Sequence, residues 1–187
     1  MNYLKTAILG LTLAAASGAT SVANAGMLGS TESWQYFAYG GAYNSEQSYT
    51  VTGGNVGSFL DYFDIIVDDN SITFDYSRHN GTTTWSPSGL SLAPTISNGI
   101  AINMLSGPAF QSVTIDGATN LAGFNASRFS FTGNQIQVDW ADLTFDSRTI
   151  VKFDINTAPV PEPETYALML AGLGLVGFAA RRKSAKK

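Results

Sequence analysis

Cysteine is absent from the 187 residues, which excludes a disulfide scaffold and any thiolate metal site. Histidine occurs once, as His79, so multi-histidine zinc centres are excluded as well. Charge is scarce: 13% of residues are Asp, Glu, Lys or Arg, about half of the roughly 25% found in an average soluble domain. Between residues 26 and 159 there is no sustained i, i+3, i+4, i+7 apolar stripe, no internal repeat, no Gly-x-Ser-x-Gly nucleophile elbow and no Asp-x-Asp-x-Asp-Gly calcium loop. What the chain does have is 22 aromatic residues, 19 glycines and a 44% hydrophobic content, the composition of a folded protein of low charge.

The few charges are unevenly placed. Residues 26–159 hold twelve acids against Arg78, Arg128, Arg148 and Lys152, a net charge of −8, whereas six of the ten cations lie in the two ends. Such a middle repels a phosphate backbone and is expected to bind no nucleic acid. Residues 1–25 read as a signal peptide: Lys5 in a short n-region, an apolar stretch from Ala7 to Ala16 too short to span a bilayer, then Ala23-Asn24-Ala25. Ala23 and Ala25 are the small residues that a signal peptidase accommodates, so cleavage is expected after Ala25 with Gly26 as the mature N-terminus.

The other end, residues 159–187, has three parts. Val160-Pro161-Glu162-Pro163 is expected to be held extended by its two prolines, and Tyr166 to Ala180 is fifteen residues without a charge. Arg181-Arg182-Lys183 follow at once, with Lys186-Lys187 completing a basic tail over 181–187. The uncharged run is expected to form a transmembrane helix over 166–180, although at 1.5 Å per residue it covers only about 23 Å of a roughly 30 Å hydrocarbon core. Arg181, Arg182 and Lys183 would act as a cytoplasmic stop signal by the positive-inside rule, placing the rest of the chain across the membrane.

This order of elements, from Val160 to Lys187, resembles the PEP-CTERM sorting signal of Gram-negative bacteria. The resemblance implies an exosortase as processing enzyme, cutting near Pro161-Glu162-Pro163, and a passage through the inner membrane to the cell surface or exterior. It implies a role connected with exopolysaccharide and biofilm matrix, and it covers no residue of the middle, so it supplies no catalytic residue.

The middle, residues 26–158, is expected to be an all-β ectodomain. Period-two apolar patterns run through Phe63, Ile65, Val67; Ile72, Phe74, Tyr76; Ile100, Ile102, Met104; Ile136, Val138, Trp140; and Val151, Phe153, Ile155. Turn pairs fall between them, including Asp69-Asn70 and Gly133-Asn134, the second expected to form a type II′ hairpin loop. Such strands predict an antiparallel β-sandwich, jelly-roll-like, joined to the tail by a linker over Asn156 to Glu164.

Chemistry in this middle is sparse, and no catalytic residue is assigned. His79, in Arg78-His79-Asn80-Gly81, reads as a solvated turn residue. Acid pairs at Asp61 and Asp64, Asp68 and Asp69, and Asp139 and Asp142 keep a glycan hydrolase as the lesser alternative. Asp68, Asp69 and Asn70 are candidate calcium ligands, calcium being the one cofactor the oxygen-rich composition admits. Trp140 reads as core, and so does Trp34, in an aromatic run over 34–39, with a glycan contact as its alternative; Trp85, in a polar proline-bearing segment, is the other candidate glycan contact. The expectation is therefore an exported, non-catalytic surface or matrix protein, with a carbohydrate-binding module as the alternative.

Overall fold

The computed structural model describes residues 26–87, 98–159 and 163–184, so the expected signal peptide over 1–25 lies outside the described residues. Among the described residues there are thirteen strands and one long helix, and every strand pairing is antiparallel. The strands are β1 (Thr31–Ala38), β2 (Gly41–Ala42), β3 (Gln47–Thr50), β4 (Asn55–Phe59), β5 (Phe63–Asp68), β6 (Ser71–Asp75) and β7 (Thr82–Thr84), followed by β8 (Gly99–Ser106), β9 (Phe110–Ile115), β10 (Phe129–Thr132), β11 (Gln135–Asp139), β12 (Thr144–Asp146) and β13 (Ile150–Thr157). The helix is α1 (Pro163–Ser184).

A six-stranded sheet runs β10-β11-β8-β1-β2, with β3 pairing β1 further along the edge that β2 occupies. A five-stranded sheet runs β4-β5-β6-β13-β9, and β12 with β7 makes a separate two-stranded ribbon. Alternation along the strands sends one face of each large sheet into a common core. Phe63, Ile65 and Val67 of β5, Ile72 and Phe74 of β6, and Val151, Phe153 and Ile155 of β13 are all buried, while Asp64, Thr73, Lys152 and Asp154 point the other way.

Aromatic pairs join the two sheets. Tyr36 of β1 stacks on Phe59 of β4 with ring centroids 3.7 Å apart, and Phe129 of β10 meets Phe153 of β13 edge-on at 5.0 Å. Trp140, fully buried just after β11, packs edge-on against Phe74 at 5.2 Å. Each such ring, fully buried, contributes roughly 1.5–3 kcal/mol relative to an exposed one. Among the described residues the buried side chains form a single cluster drawn from both sheets and the ribbon.

The expected type II′ loop is corrected. Neither Gly133 nor Asn134 has a positive φ, because Phe110 N–H donates to the Gly133 carbonyl and Met104 N–H to that of Asn134, both at 2.9 Å. Bonds to β8 and β9 therefore set this loop, not its own turn preference. The linker is also shorter than expected at both ends: β13 runs to Thr157, and the helix begins at Pro163.

Candidate functional site

The tail differs from its expected form in one respect that the backbone explains. Val160, Pro161 and Glu162 lie outside the described residues, but Pro163 opens α1 instead of extending the chain. A first-turn residue has no intrahelical partner for its N–H, so proline is tolerated there with its φ already suited to the helix. The helix is 22 residues long, and Arg181, Arg182 and Lys183 fall in its last turn, where cations favour the negative end of the helix dipole.

Leu168, Met169, Leu170, Leu173, Leu175, Val176 and Phe178 are each more than half exposed. At 100° per residue these seven positions are spread around the whole circumference, so α1 has no polar side to turn to water. Among the described residues, however, no helix is long and apolar enough to cross a membrane. The run over 166–180 that was expected to cross the membrane lies within this longer helix, Pro163–Ser184, whose described apolar side chains are exposed.

In the domain, both candidate glycan-contact tryptophans are buried, each only 5% exposed. Trp34 lies across Gly57 of β4, where a Cβ would stand 2.6 Å from its Nε1; only glycine lets the indole lie this close. Trp85 is drawn inside by the ribbon: its N–H donates to the Leu143 carbonyl at 2.9 Å, and its ring packs between Tyr36, Tyr62 and Phe145. Neither presents an open stacking face. The polar run Thr82-Thr83-Thr84 suggested exposure, but β7 pairs with β12 and carries the next residue into the core.

Among the described residues of the domain the exposed aromatics are Tyr39, Tyr43 and Phe131, and the first two share one pocket. Tyr39-Gly40 forms the two-residue loop between β1 and β2, both residues having positive φ, 53° and 82°. That is the type I′ pattern that matches strand twist. Leu60, also exposed, has φ 51°. Two of the three non-glycine residues with left-handed backbone among the described residues thus sit at the rim of one pocket of about 150 Å³, over the buried rings of Tyr36, Phe59 and Trp85 and the half-buried ring of Tyr62. A hydrogen-bonded chain leads from core to rim: Tyr36 hydroxyl to Asn98 Oδ1 at 2.7 Å, Asn98 Nδ2 to Ser86 Oγ at 3.0 Å, and Ser86 Oγ to the Tyr39 hydroxyl at 3.1 Å. The lining described for this pocket carries no charged side chain. Burial pushes the Tyr36 hydroxyl well above the usual tyrosine range, so it serves as a neutral donor. The Gly40-Gly41 pair directly after the aromatic run was the sequence signal for this rim.

In two of the acid pairs one member, Asp64 or Asp139, is held in an ion pair. Asp64 is ion-paired to Arg78 at 2.8 Å; burial alone would raise its pKa, but hydrogen bonds from Ser58 and Arg78 outweigh that and lower it. Asp139 pairs with Arg128 at 3.3 Å and accepts from Asn98 N–H at 2.9 Å. A larger, open pocket of about 390 Å³ beside the ribbon contains Asp146, whose pKa is lowered by hydrogen bonds from Arg148. The lowered pKa values of Asp64 and Asp146 suit structural ion pairs and not proton donors.

Asp68 and Asp69 cap backbone amides: Asp68 Oδ1 accepts from Gly54 N–H and Asp69 Oδ1 from Leu28 N–H, each at 3.1 Å, while the Asn70 carbonyl accepts from Ile155 N–H at 2.8 Å. Among the described residues no three His, Asp or Glu side chains are grouped to hold a metal. His79 is not a solvated turn residue. It is buried, with Nε2 2.8 Å from Thr83 Oγ1 and its ring packed on Tyr62 and Phe145.

Compared with curated proteins and with solved structures, the chain matches none. A family model, that of the PEP-CTERM protein-sorting motif, matches residues 159–183. That span contains Val160-Pro161-Glu162-Pro163 and nearly all of the apolar helix, and stops at Lys183. The chain therefore carries, in its tail, a PEP-CTERM protein-sorting motif, the signal of an exported protein processed by an exosortase at the membrane.

Proposed function

We propose that this is an exported, non-catalytic protein of the cell surface or extracellular matrix, whose tail addresses a jelly-roll-like β-sandwich to the exterior. The observation that carries the reading is the sorting motif joined to a domain in which Asp64 and Asp139 sit in ion pairs and Asp68 and Asp69 cap backbone amides. The apolar helix associates with the inner membrane until the exosortase acts near Pro161-Glu162-Pro163, and the released domain works through its folded surface in an exopolysaccharide-rich matrix. The test is fractionation of the producing cells with intact-mass analysis. A domain lacking α1, recovered from the surface or medium, is the expected result; accumulation of the uncleaved chain in the inner membrane would overturn the reading.

A second reading, carbohydrate binding, is supported by the aromatic pocket. Its exposed tyrosines, its uncharged lining and its strained rim residues suit stacking on a neutral sugar ring, and backbone strain of this kind persists where surrounding structure enforces it. Here Tyr39 and Tyr43 replace Trp34 and Trp85 as the glycan contacts. In co-sedimentation with the host polysaccharide, the Tyr39→Ala, Tyr43→Ala double variant should lose at least tenfold in affinity. Retention of full binding by the folded variant removes the reading.

A further inference from the structure

The mature chain is expected to begin at Gly26, and the structure places that residue in an unusual position. Gly26 lies against the turn between β5 and β6, where a Cβ built on it would fall 1.7 Å from Asp69 Oδ1 and 2.0 Å from Asp69 Cγ. The carboxylate therefore rests on the Gly26 Cα, one bond from the Gly26 nitrogen and within ion-pair reach of it. The following residues hold this register: Met27 N–H donates to the Asp69 carbonyl at 2.7 Å, Leu28 N–H to Asp69 Oδ1, and the Met27 side chain is completely buried. Asp69 forms no ion pair with any Lys or Arg among the described residues, and its neighbour Asp68 is engaged by Gly54 N–H. A partly buried carboxylate with acceptor capacity to spare thus faces a backbone nitrogen that is an uncharged amide as long as the leader is attached.

We infer that Asp69 is the receptor for the chain's own processed N-terminus: removal of the leader after Ala25 creates a Gly26 α-ammonium that pairs with the Asp69 carboxylate. Hydrolysis adds water across the Ala25–Gly26 bond, leaving a carboxylate on Ala25 and, with the proton taken up, an ammonium on Gly26. The uncleaved chain has no such charge, so the ion pair forms only after processing, on a contact already in place. Pinning the N-terminus to the turn clamps the residues leading into β1 to the opposite sheet, beside the buried Met27. This inference rests on cleavage after Ala25 and is independent of the reading of the tail.

The experiment uses protein exported by its own host. N-terminal sequencing and intact mass should give Gly26 as the first residue; a different start would overturn both the cleavage site and the inference. The α-amine of the mature protein is then labelled with an acylating reagent at pH 7, folded and in urea. Pairing holds the amine protonated, so the folded wild-type protein should react about tenfold more slowly than the unfolded chain, the factor expected for one unit of pKa. Asp69→Asn keeps the acceptor for Leu28 N–H and loses only the charge; in the folded variant most of that protection should disappear. If a chain beginning at Gly26 reacts equally fast folded and unfolded, or is equally protected with Asn at 69, the inference fails while the cleavage site stands.

Discussion

Glu32 lies on the core-facing side of β1, in phase with Trp34 and Tyr36, and is completely buried. Its Oε2 accepts from the Tyr49 hydroxyl at 2.7 Å and its Oε1 from Ser30 Oγ at 3.2 Å. Burial raises its pKa, and these two hydrogen bonds offset only part of the rise. A carboxyl whose folded pKa exceeds its unfolded one stabilises the fold fully below the unfolded value, near 4.3, and that contribution is lost as pH rises through the folded value. As pH rises above the unfolded value, Glu32 therefore contributes progressively less to stability. Glu32→Gln retains an acceptor for Tyr49 and removes the charge, so at pH 7 its urea midpoint should equal or exceed that of the wild type. The advantage should shrink towards pH 4.5. Comparing variant with wild type at each pH isolates this group from Asp64, Asp116 and Asp146, whose lowered pKa values act in the opposite sense. A variant less stable by more than about 1 kcal/mol at pH 7 would show that the Glu32 charge is a net gain.

At the level of elements, period-two alternation made β5, β6, β8, β11 and β13 legible, because each buries one face in the common core. The short strands were not. β2, β7 and β12 have two or three residues each, too few for any period, and exist because neighbouring backbone offers a partner. β1 was hidden differently: all eight of its residues are half-buried or buried, polar Glu32 and Ser33 among them, so no period-two alternation marks it. The pocket follows from the same limit. Tyr36 and Trp85 are 49 positions apart and meet at 5.6 Å only because the β7–β12 ribbon folds Trp85 back over β1. In the tail, the motif was fully legible, since its order of elements is local; the helix start at Pro163 was not, because proline at a first turn obeys a different constraint from proline inside a helix.

For the whole molecule, the apolar side chains of α1 that are described are exposed and belong to no part of the core cluster. Ending the chain after Pro159 retains the last domain contact, Ala158 N–H to the Ala109 carbonyl at 2.7 Å. The truncated and full-length proteins should therefore have denaturation midpoints within about 0.5 kcal/mol, the additivity expected of independent parts. A larger difference, measured in urea with detergent present in both samples, would mean that the helix packs on the domain. The position of β13 has a further consequence. It is the last strand made, yet it lies inside its sheet, between β6 and β9. The five-stranded sheet therefore cannot close until residues 150–157 are free to pair, and β6 and β9 lack their shared partner until then. Completion of this sheet thus waits on the residues immediately before the sorting motif, which ties the finished domain to the arrival of its own address.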